Sequence, residues 1–454
     1  YGIDRVTHAV DEAGAVAAAA RAGAARISDH DAAADTHTAA AAQPVRNPAD
    51  HADIVGSVTE ATAADIERAL AAASAAAPEW AATPARTRSD ALIHAAALFE
   101  READTLLALA VREAGKSWAN AVAELREAVD FLRYYAQQAR GFDAASHVAL
   151  GPVLCISPWN FPLAIFTGQV AAALAAGNPV LAKPAEQTPL IAAFAVRLLH
   201  EAGIPPAALQ LLPGRGETVG AALVADARVR GVMFTGSTEV AALINRKLAE
   251  RGGNVPLIAE TGGQNAMIVD STALPEQVVG DVLASAFDSA GQRCSALRVL
   301  CLQQDIADGV VHMLQGALTE LRLGNPADVR VDIGPVIDSE ARAGLEAHVA
   351  AMQAKGARVT RLPLPAECAH GTFVAPTIIE IGALAELGRE QFGPILHVLR
   401  YRASELDGLI DAINASGYGL TMGVHTRIDE TVERVAARAH VGNLYVNRNI
   451  IGAV

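Results

Sequence analysis

Apolar residues recur every three to four positions over 62–76, 86–113 and 119–140, the spacing that lines one face of a helix. The first of these stretches opens on Thr62 with Asp65 three residues on, a pattern in which each side chain caps the other's backbone N–H. The third carries Glu124, Arg126, Glu127, Asp130 and Arg133 at helical spacing, which reads as a solvated face. Upstream, PVRNPAD reads as a turn and DIVGSV as a short strand, and alanine-rich residues 1–42 read as a loose helix and linker. Beyond Gly151 the period shortens. The runs GPVLCIS, NPVLAKP, LQLLPG and VRGVMFTG alternate with the helical stretches GQVAAALAAG and IAAFAVRLLHEAG. This alternation predicts a doubly wound α/β sheet with ligands where the strands end. After Pro256 a second set, LIAE, AMIVD, RVLCLQ and ILHVLRY, predicts another α/β layer and a ligand cleft between two lobes.

Composition narrows the class. With 454 residues, more than half of them hydrophobic, the chain can bury the cores of two or three lobes. Acidic residues outnumber basic ones by 50 to 36 and the basic ones are scattered, so no footprint for nucleic acid is visible. Apolar runs are broken well before the roughly 20 residues of a bilayer span, which predicts a soluble protein. The chain begins at Tyr1 without the basic and apolar regions of a secretory signal, and reads as a piece of a longer one. Four widely spaced cysteines suit a reducing cytoplasm, and the histidines show no zinc spacing, so no metal is expected.

Several segments carry candidate chemistry. GRGETVG, with Gly214, Gly216 and Gly220, follows a strand but has GxGxxxG spacing, and a tight structural turn explains it as well as a dinucleotide loop does. FTGSTEVA is the better phosphate cradle: Gly236 permits close approach, Ser237 or Thr238 can cap the next helix, and Glu239 suits its first turn. Lys183 ends a strand with Glu186 three residues later, a donor and an acceptor for ribose hydroxyls. Cys294 lies at an element boundary beside Arg293, a setting that lowers a thiol pKa, whereas Cys155 and Cys301 lie in apolar strands as core thiols. Cys368 sits in a loop where it can be exposed, and is read as structural or incidental. Glu260, at a strand end before Gly262 and Gly263, can act as a general base or be an ordinary turn acid. Asn160, between Trp159 and Phe161, can donate to an oxyanion or satisfy a turn.

From about Gln43 onward these pieces resemble the aldehyde dehydrogenase superfamily: PWNFPL, KPAEQTP, FTGSTEVA, ETGGQNA, GQRCSALR and EQFGPIL stand in the family's order and approximate spacing. The resemblance implies an α/β aldehyde dehydrogenase fold, with a Rossmann-like NAD-binding domain over 43–257, a short oligomerisation arm near 138–150, and an α/β catalytic domain over 258–446. It implies Cys294 as nucleophile, Asn160 and the Cys294 N–H as oxyanion donors, and Glu260 as the base that hydrolyses the thioester. NAD is the implied cofactor, with Lys183 and Glu186 on the adenosine ribose, Gly236 and Ser237 on the pyrophosphate, Glu390 on the nicotinamide ribose, and Trp159 beside them. ETGGQNAMIVD, QRCSALRVL, SPWNFPLAIF and VNRNIIGAV look most like the branch that oxidises L-glutamate γ-semialdehyde, the dehydrogenase module of bifunctional proline-catabolic enzymes. That likeness implies Ser295, Gly452 and Ala453 as the anchor of a substrate carboxylate, Phe161 and Phe392 along its aliphatic stem, and Arg293 beside them. It also implies a proline dehydrogenase domain upstream in the parent chain, a homo-oligomer when full length, and an anchor loop over 447–454 whose family continuation is missing.

Overall fold

The computed structural model describes residues 42–143 and 146–452. Ala453 and nearly all of the alanine-rich N-terminal stretch lie outside the described residues. The chain divides after Thr261 into two compact units.

A hairpin opens the first unit: β1 (Gln43–Asn47) runs antiparallel to β2 (Asp50–Val58). The PVRNPAD segment, expected to be a turn, is therefore largely strand. The reversal takes two residues because Asn47 Oδ1 accepts the Ala49 N–H at 2.8 Å, an Asx turn. Four helices follow: α1 (Ala63–Ala82), α2 (Ala85–Arg101), α3 (Ala103–Ala114) and α4 (Trp118–Ala139). The cap expected at Thr62 is present, with Thr62 N donating to Asp65 Oδ2 at 2.8 Å and Asp65 N to Thr62 Oγ1 at 3.2 Å. The helix it starts runs on past Pro78, because Trp80 continues the buried face begun by Ala69, Leu70 and Ala73. The single helix expected over 86–113 is two, bent at Glu102, so that Leu98 and Phe99 on one side of the bend and Leu106 and Leu109 on the other all reach the core.

The α/β part then alternates through β3 (Val153–Ile156), α5 (Ala164–Ala175), β4 (Val180–Lys183), α6 (Pro189–Glu201), β5 (Leu209–Leu211), α7 (Ala221–Ala225), β6 (Gly231–Gly236), α8 (Thr238–Arg251) and β7 (Leu257–Thr261). The five strands form one parallel sheet in the order β5-β4-β3-β6-β7. Successive side chains point to opposite faces. Val153, Cys155, Val180 and Ala182 pack with α2 to α6 on one side, and Leu154, Leu181, Val232 and Phe234 with α1, α7 and α8 on the other. This doubly covered sheet is the architecture expected. LIAE, assigned to the second set, belongs here: β7 pairs with β6, Thr235 opposite Glu260. Hydrogen bonding to β6, which an apolar run cannot disclose, decides its membership.

The charges of α4 do not form one solvated face. Glu124 is 1 % exposed, paired with Lys116 at 2.7 Å, and accepts the N–H groups of Leu163 at 2.8 Å and Ala164 at 3.2 Å. Glu113, at the end of α3, is also buried; its two carboxylate oxygens accept the N–H groups of Leu190 at 2.7 Å and Ile191 at 2.9 Å in the first turn of α6. Helix starts leave such donors unpaired, so an acid from a neighbouring element completes them.

The second unit comprises β8 (Ala266–Val269), α9 (Pro275–Phe287), β9 (Val299–Gln303), α10 (Gln304–Leu318), α11 (Ser339–Ala354), β10 (Val359–Arg361), β11 (Thr377–Ile381), β12 (Ile395–Tyr401), α12 (Leu406–Asn414), β13 (Thr421–His425), α13 (Asp429–Arg438) and β14 (Asn443–Val446). Its sheet runs β10-β11-β12-β9-β8-β13-β14, parallel apart from the antiparallel β10 at one edge. Strands β8 and β9 are buried throughout, as largely apolar runs covered on both faces require, with only Gln303 at the end of β9 polar. Among the described residues no helix is long and apolar enough to cross a membrane.

Burial pushes Glu113 up to about 8 from an ordinary value of 4.5, against the pull of its two backbone N–H partners. The folded state then holds its proton more tightly than the unfolded chain. The stability it contributes is complete below about 4.5 and is lost as pH rises through about 8. Glu113→Gln, which keeps an acceptor but cannot ionise, should gain stability relative to wild type across that window in denaturant titrations at several pH values. Parallel profiles for the two proteins would contradict it.

Candidate active site

In the first unit the candidate residues collect at the carboxyl-terminal edge of the parallel sheet. Trp159, Asn160 and Phe161 occupy the loop between β3 and α5, with Asn160 buried and both aromatics half-buried. Ser157 N donates to Lys183 O at 3.2 Å, joining this loop to the end of β4. Lys183 is 2 % exposed, and its Nζ donates to Pro184 O at 3.0 Å and to Glu186 Oε2 at 3.3 Å, with the Glu186 carboxylate partly in solvent. A buried ammonium held beside an accessible carboxylate is a fitting pair for two neighbouring hydroxyls. Gly236 closes β6, and Ser237 caps α8, its Oγ accepting the Val240 N–H at 3.2 Å. That helix start offers N–H groups and a positive dipole end to an anion. The GRGETVG turn follows the edge strand β5, beside Lys183. Glu260 lies exposed on β7 at the opposite edge of the sheet.

In the second unit the candidates collect at the amino-terminal edge of the sheet, contrary to the general expectation for open parallel sheets. Cys294 and Ser295 precede β9, Glu390 and Phe392 precede β12, and Gly262, Gly263 and Asn265 precede β8, three neighbouring parallel strands. The chain reaches Cys294 through three consecutive left-handed residues, Ser289 (φ 55), Ala290 (φ 54) and Gly291 (φ 66). Non-glycine residues pay on the order of 1 kcal/mol each for this conformation. A Cβ at Gly291 would collide with the carbonyl of Gly393, so glycine is required there.

Two side chains that the sequence reading did not single out secure this loop. Asn265 Nδ2 donates to Cys294 O at 2.7 Å and Ala296 O at 2.9 Å, while its Oδ1 accepts the Thr421 N–H at 3.1 Å. Arg298, 1 % exposed, donates to Gly291 O at 2.6 Å and Arg293 O at 3.0 Å on the cysteine loop, and to Glu390 Oε1 from Nε at 3.1 Å and Nη2 at 2.9 Å. Its guanidinium also lies 5.1 Å from the centre of the Phe392 ring. Gly262 packs against the Glu390 carboxylate closely enough that a Cβ would collide with it. ETGGQNA and GQRCSALR contain both Asn265 and Arg298, but nothing in either string says that the side chains fold back onto the loop.

The thiols differ from expectation in two respects. Cys294 does not have a lowered pKa: burial, reinforced by the Glu390 charge, pushes it up against the opposing pull of the Ser295 N–H and Arg298. Arg293 forms an ion pair with Asp288 at 2.8 Å, so its charge is answered by a carboxylate. Cys368, which the sequence left open to solvent, is buried, and burial lifts it to about 11. Cys155 and Cys301 are core thiols as expected, the latter lifted to about 12. Cys294 alone of the four is half-buried.

Ser295 is buried beside Cys294, and Gly452 is exposed near the end of the described chain.

Residues 35–454 match the model of the aldehyde dehydrogenase family. The bifunctional protein PutA of Klebsiella aerogenes is 63% identical over 422 residues, 91% of this chain and 32% of that protein. The chain thus spans about a third of the length of this relative. The 1-pyrroline-5-carboxylate dehydrogenase of Bacillus mycoides is 36% identical over 427 residues, 90% of this chain and 82% of that one. The crystal structure of 1-pyrroline-5-carboxylate dehydrogenase from Thermus with bound NAD superposes with a TM-score of 0.85 at 36% identity, covering 91% of this chain and 83% of that one.

The thiol ordering is directly measurable. Iodoacetamide should modify Cys294 ahead of the other three cysteines, with a rate that climbs at a pH above that of a free thiol. Glu390→Gln removes the negative charge that opposes the thiolate and should shift this profile to lower pH; an unmoved profile would disprove the coupling.

Proposed function

The chain belongs to the aldehyde dehydrogenase family, and from that premise we propose that it oxidises L-glutamate γ-semialdehyde to L-glutamate with NAD. The observation that carries the reading is the cysteine loop: the least buried of the four thiols is held by Asn265 and Arg298 in a strained turn beside Glu390. The relatives named above supply the substrate class.

Lys183 and Glu186 fit an adenosine ribose, and Ser237 with Gly236 at the start of α8 fits a pyrophosphate, with Trp159 in the adjoining loop. Glu390, held by Arg298, would take the nicotinamide ribose. Bound there, NAD supplies the acceptor for the hydride that turns the cysteine-bound substrate into a thioester.

The chain's own groups do the remaining work. The Cys294 thiolate attacks the aldehyde carbon, and the Asn160 amide and the Cys294 N–H stabilise the oxygen that becomes negative. Because burial holds the thiol proton, forming that thiolate is itself a step that needs a base. After oxidation Glu260 takes a proton from water, which attacks the thioester and releases the acid. Ser295, Gly452 and Ala453 hold the far carboxylate of the substrate, with Phe161, Phe392 and Arg293 along its path. The parent protein would carry a proline dehydrogenase domain, act in the cytoplasm and self-associate; the 32% coverage of PutA supports the first of these.

NADH formation should be fastest with glutamate semialdehyde, ahead of succinic semialdehyde and propanal, and should be abolished in Cys294→Ala. A preference for either of the other aldehydes would overturn the substrate assignment. Glu260→Gln should leave a first turnover intact, visible as a burst of about one NADH per site, and slow later turnovers on the order of 100-fold. A uniform slowing without a burst would deny Glu260 its place in hydrolysis.

A further inference from the structure

We propose that the buried Lys116–Glu124 ion pair is the positioning device of the Asn160 loop, acting on catalysis through that loop without touching the substrate. The inference rests on the reading of Asn160 as an oxyanion donor.

Lys116 lies in the turn between α3 and α4, and Glu124 on α4, both 2 % exposed or less. The pair is closed at 2.7 Å. Glu124 Oε1 accepts from Leu163 N at 2.8 Å and Ala164 N at 3.2 Å, donors at the start of α5 with no partner inside that helix. Lys116 Nζ stands 4.2 Å from the centre of the Phe161 ring, an attraction that strengthens away from water. Asn160 adjoins Phe161 and lies just ahead of Leu163, so the pair grips its loop immediately downstream at two points. An ion pair taken wholly out of water is a poor source of stability, since desolvating both charges offsets their attraction. Its geometry is the more telling property: the charged acceptor fixes where α5 begins, and the lysine neutralises that acceptor. An oxyanion donor misplaced by an ångström loses much of its effect.

Removing one partner would strand a buried charge and unfold the region, so the test uses neutral pairs. Lys116→Met with Glu124→Leu preserves volume and removes both the charge and the acceptor. Lys116→Met with Glu124→Gln keeps an acceptor for the Leu163 N–H. The first pair should retain a melting temperature near wild type and an unchanged KM for NAD, with kcat reduced about 10- to 100-fold. The second should recover much of that loss. Because the effect passes through Asn160, neither pair should slow Asn160→Ala any further. Wild-type kcat in the folded Lys116→Met/Glu124→Leu variant, no recovery in the Lys116→Met/Glu124→Gln variant, or losses that simply add to that of Asn160→Ala, would overturn the proposal. If the Leu variant does not fold, the Gln pair carries the test: it keeps an acceptor for the Leu163 N–H but loses the lysine against Phe161, so a small loss of kcat that vanishes in the Asn160→Ala background is expected, and a loss that adds to that of Asn160→Ala would overturn the proposal. Full activity in Asn160→Ala would instead sink the oxyanion reading itself, which separates the two failures.

Discussion

The second unit is organised around one buried guanidinium. Arg298 is almost wholly removed from water, and its donors are distributed between the cysteine loop, through the carbonyls of Gly291 and Arg293, and the Glu390 carboxylate. A guanidinium keeps its charge at any accessible pH and presents its N–H groups in a fixed fork, so these two loops have one mutual arrangement that satisfies it. The left-handed run at Ser289, Ala290 and Gly291 becomes tolerable in this light. Its conformational cost is offset by bonds that exist only when the chain turns that way. Asn265 performs the neutral counterpart, spanning the cysteine loop and the start of β13 with one amide.

The first unit meets the same requirement by a different route. Apart from Glu260 on β7, its candidate residues stand where parallel strands lead into helices, and each helix start exposes N–H groups that must find acceptors. At α5 and α6 the acceptors are carboxylates from elsewhere, Glu124 and Glu113, both carried by the α3–α4 segment. At α8 the cap is local, Ser237 itself. The loops bearing Asn160 and Lys183 are thus braced by an element far away in sequence, while the loop bearing Ser237 is braced by its own residues. An acid buried for this purpose titrates differently: the Glu113 proton is held tightly. Burial likewise raises the Cys294 thiol.

The strand-and-helix alternation of the first sheet, the capping box at Thr62 and Asp65 and the segments that hold the candidate residues were legible because each is written in neighbouring residues. A capping box needs two residues three apart, a covered strand needs an unbroken apolar run, and a strand-to-helix loop needs its glycines and hydroxyls in sequence. The helical charge stripe on α4 was misleading for the same reason: spacing shows that Glu124 shares a face with its neighbours, but not that Lys116 and the start of α5 close over it.

The amino-acid sequence by itself determined most of the element types and the family and supplied the candidate reactive groups, since these depend on local backbone preference and on side-chain chemistry. Tertiary structure alone decided that Leu257–Thr261 joins the first sheet, that the second sheet gathers its candidates at its amino-terminal edge, and that Arg293 faces Asp288 while Arg298 governs the cysteine loop. It also decided that burial would raise the Cys294 thiol despite a cationic neighbour. Desolvation and partner choice are properties of what surrounds a group in space, and residues distant along the chain supply those surroundings.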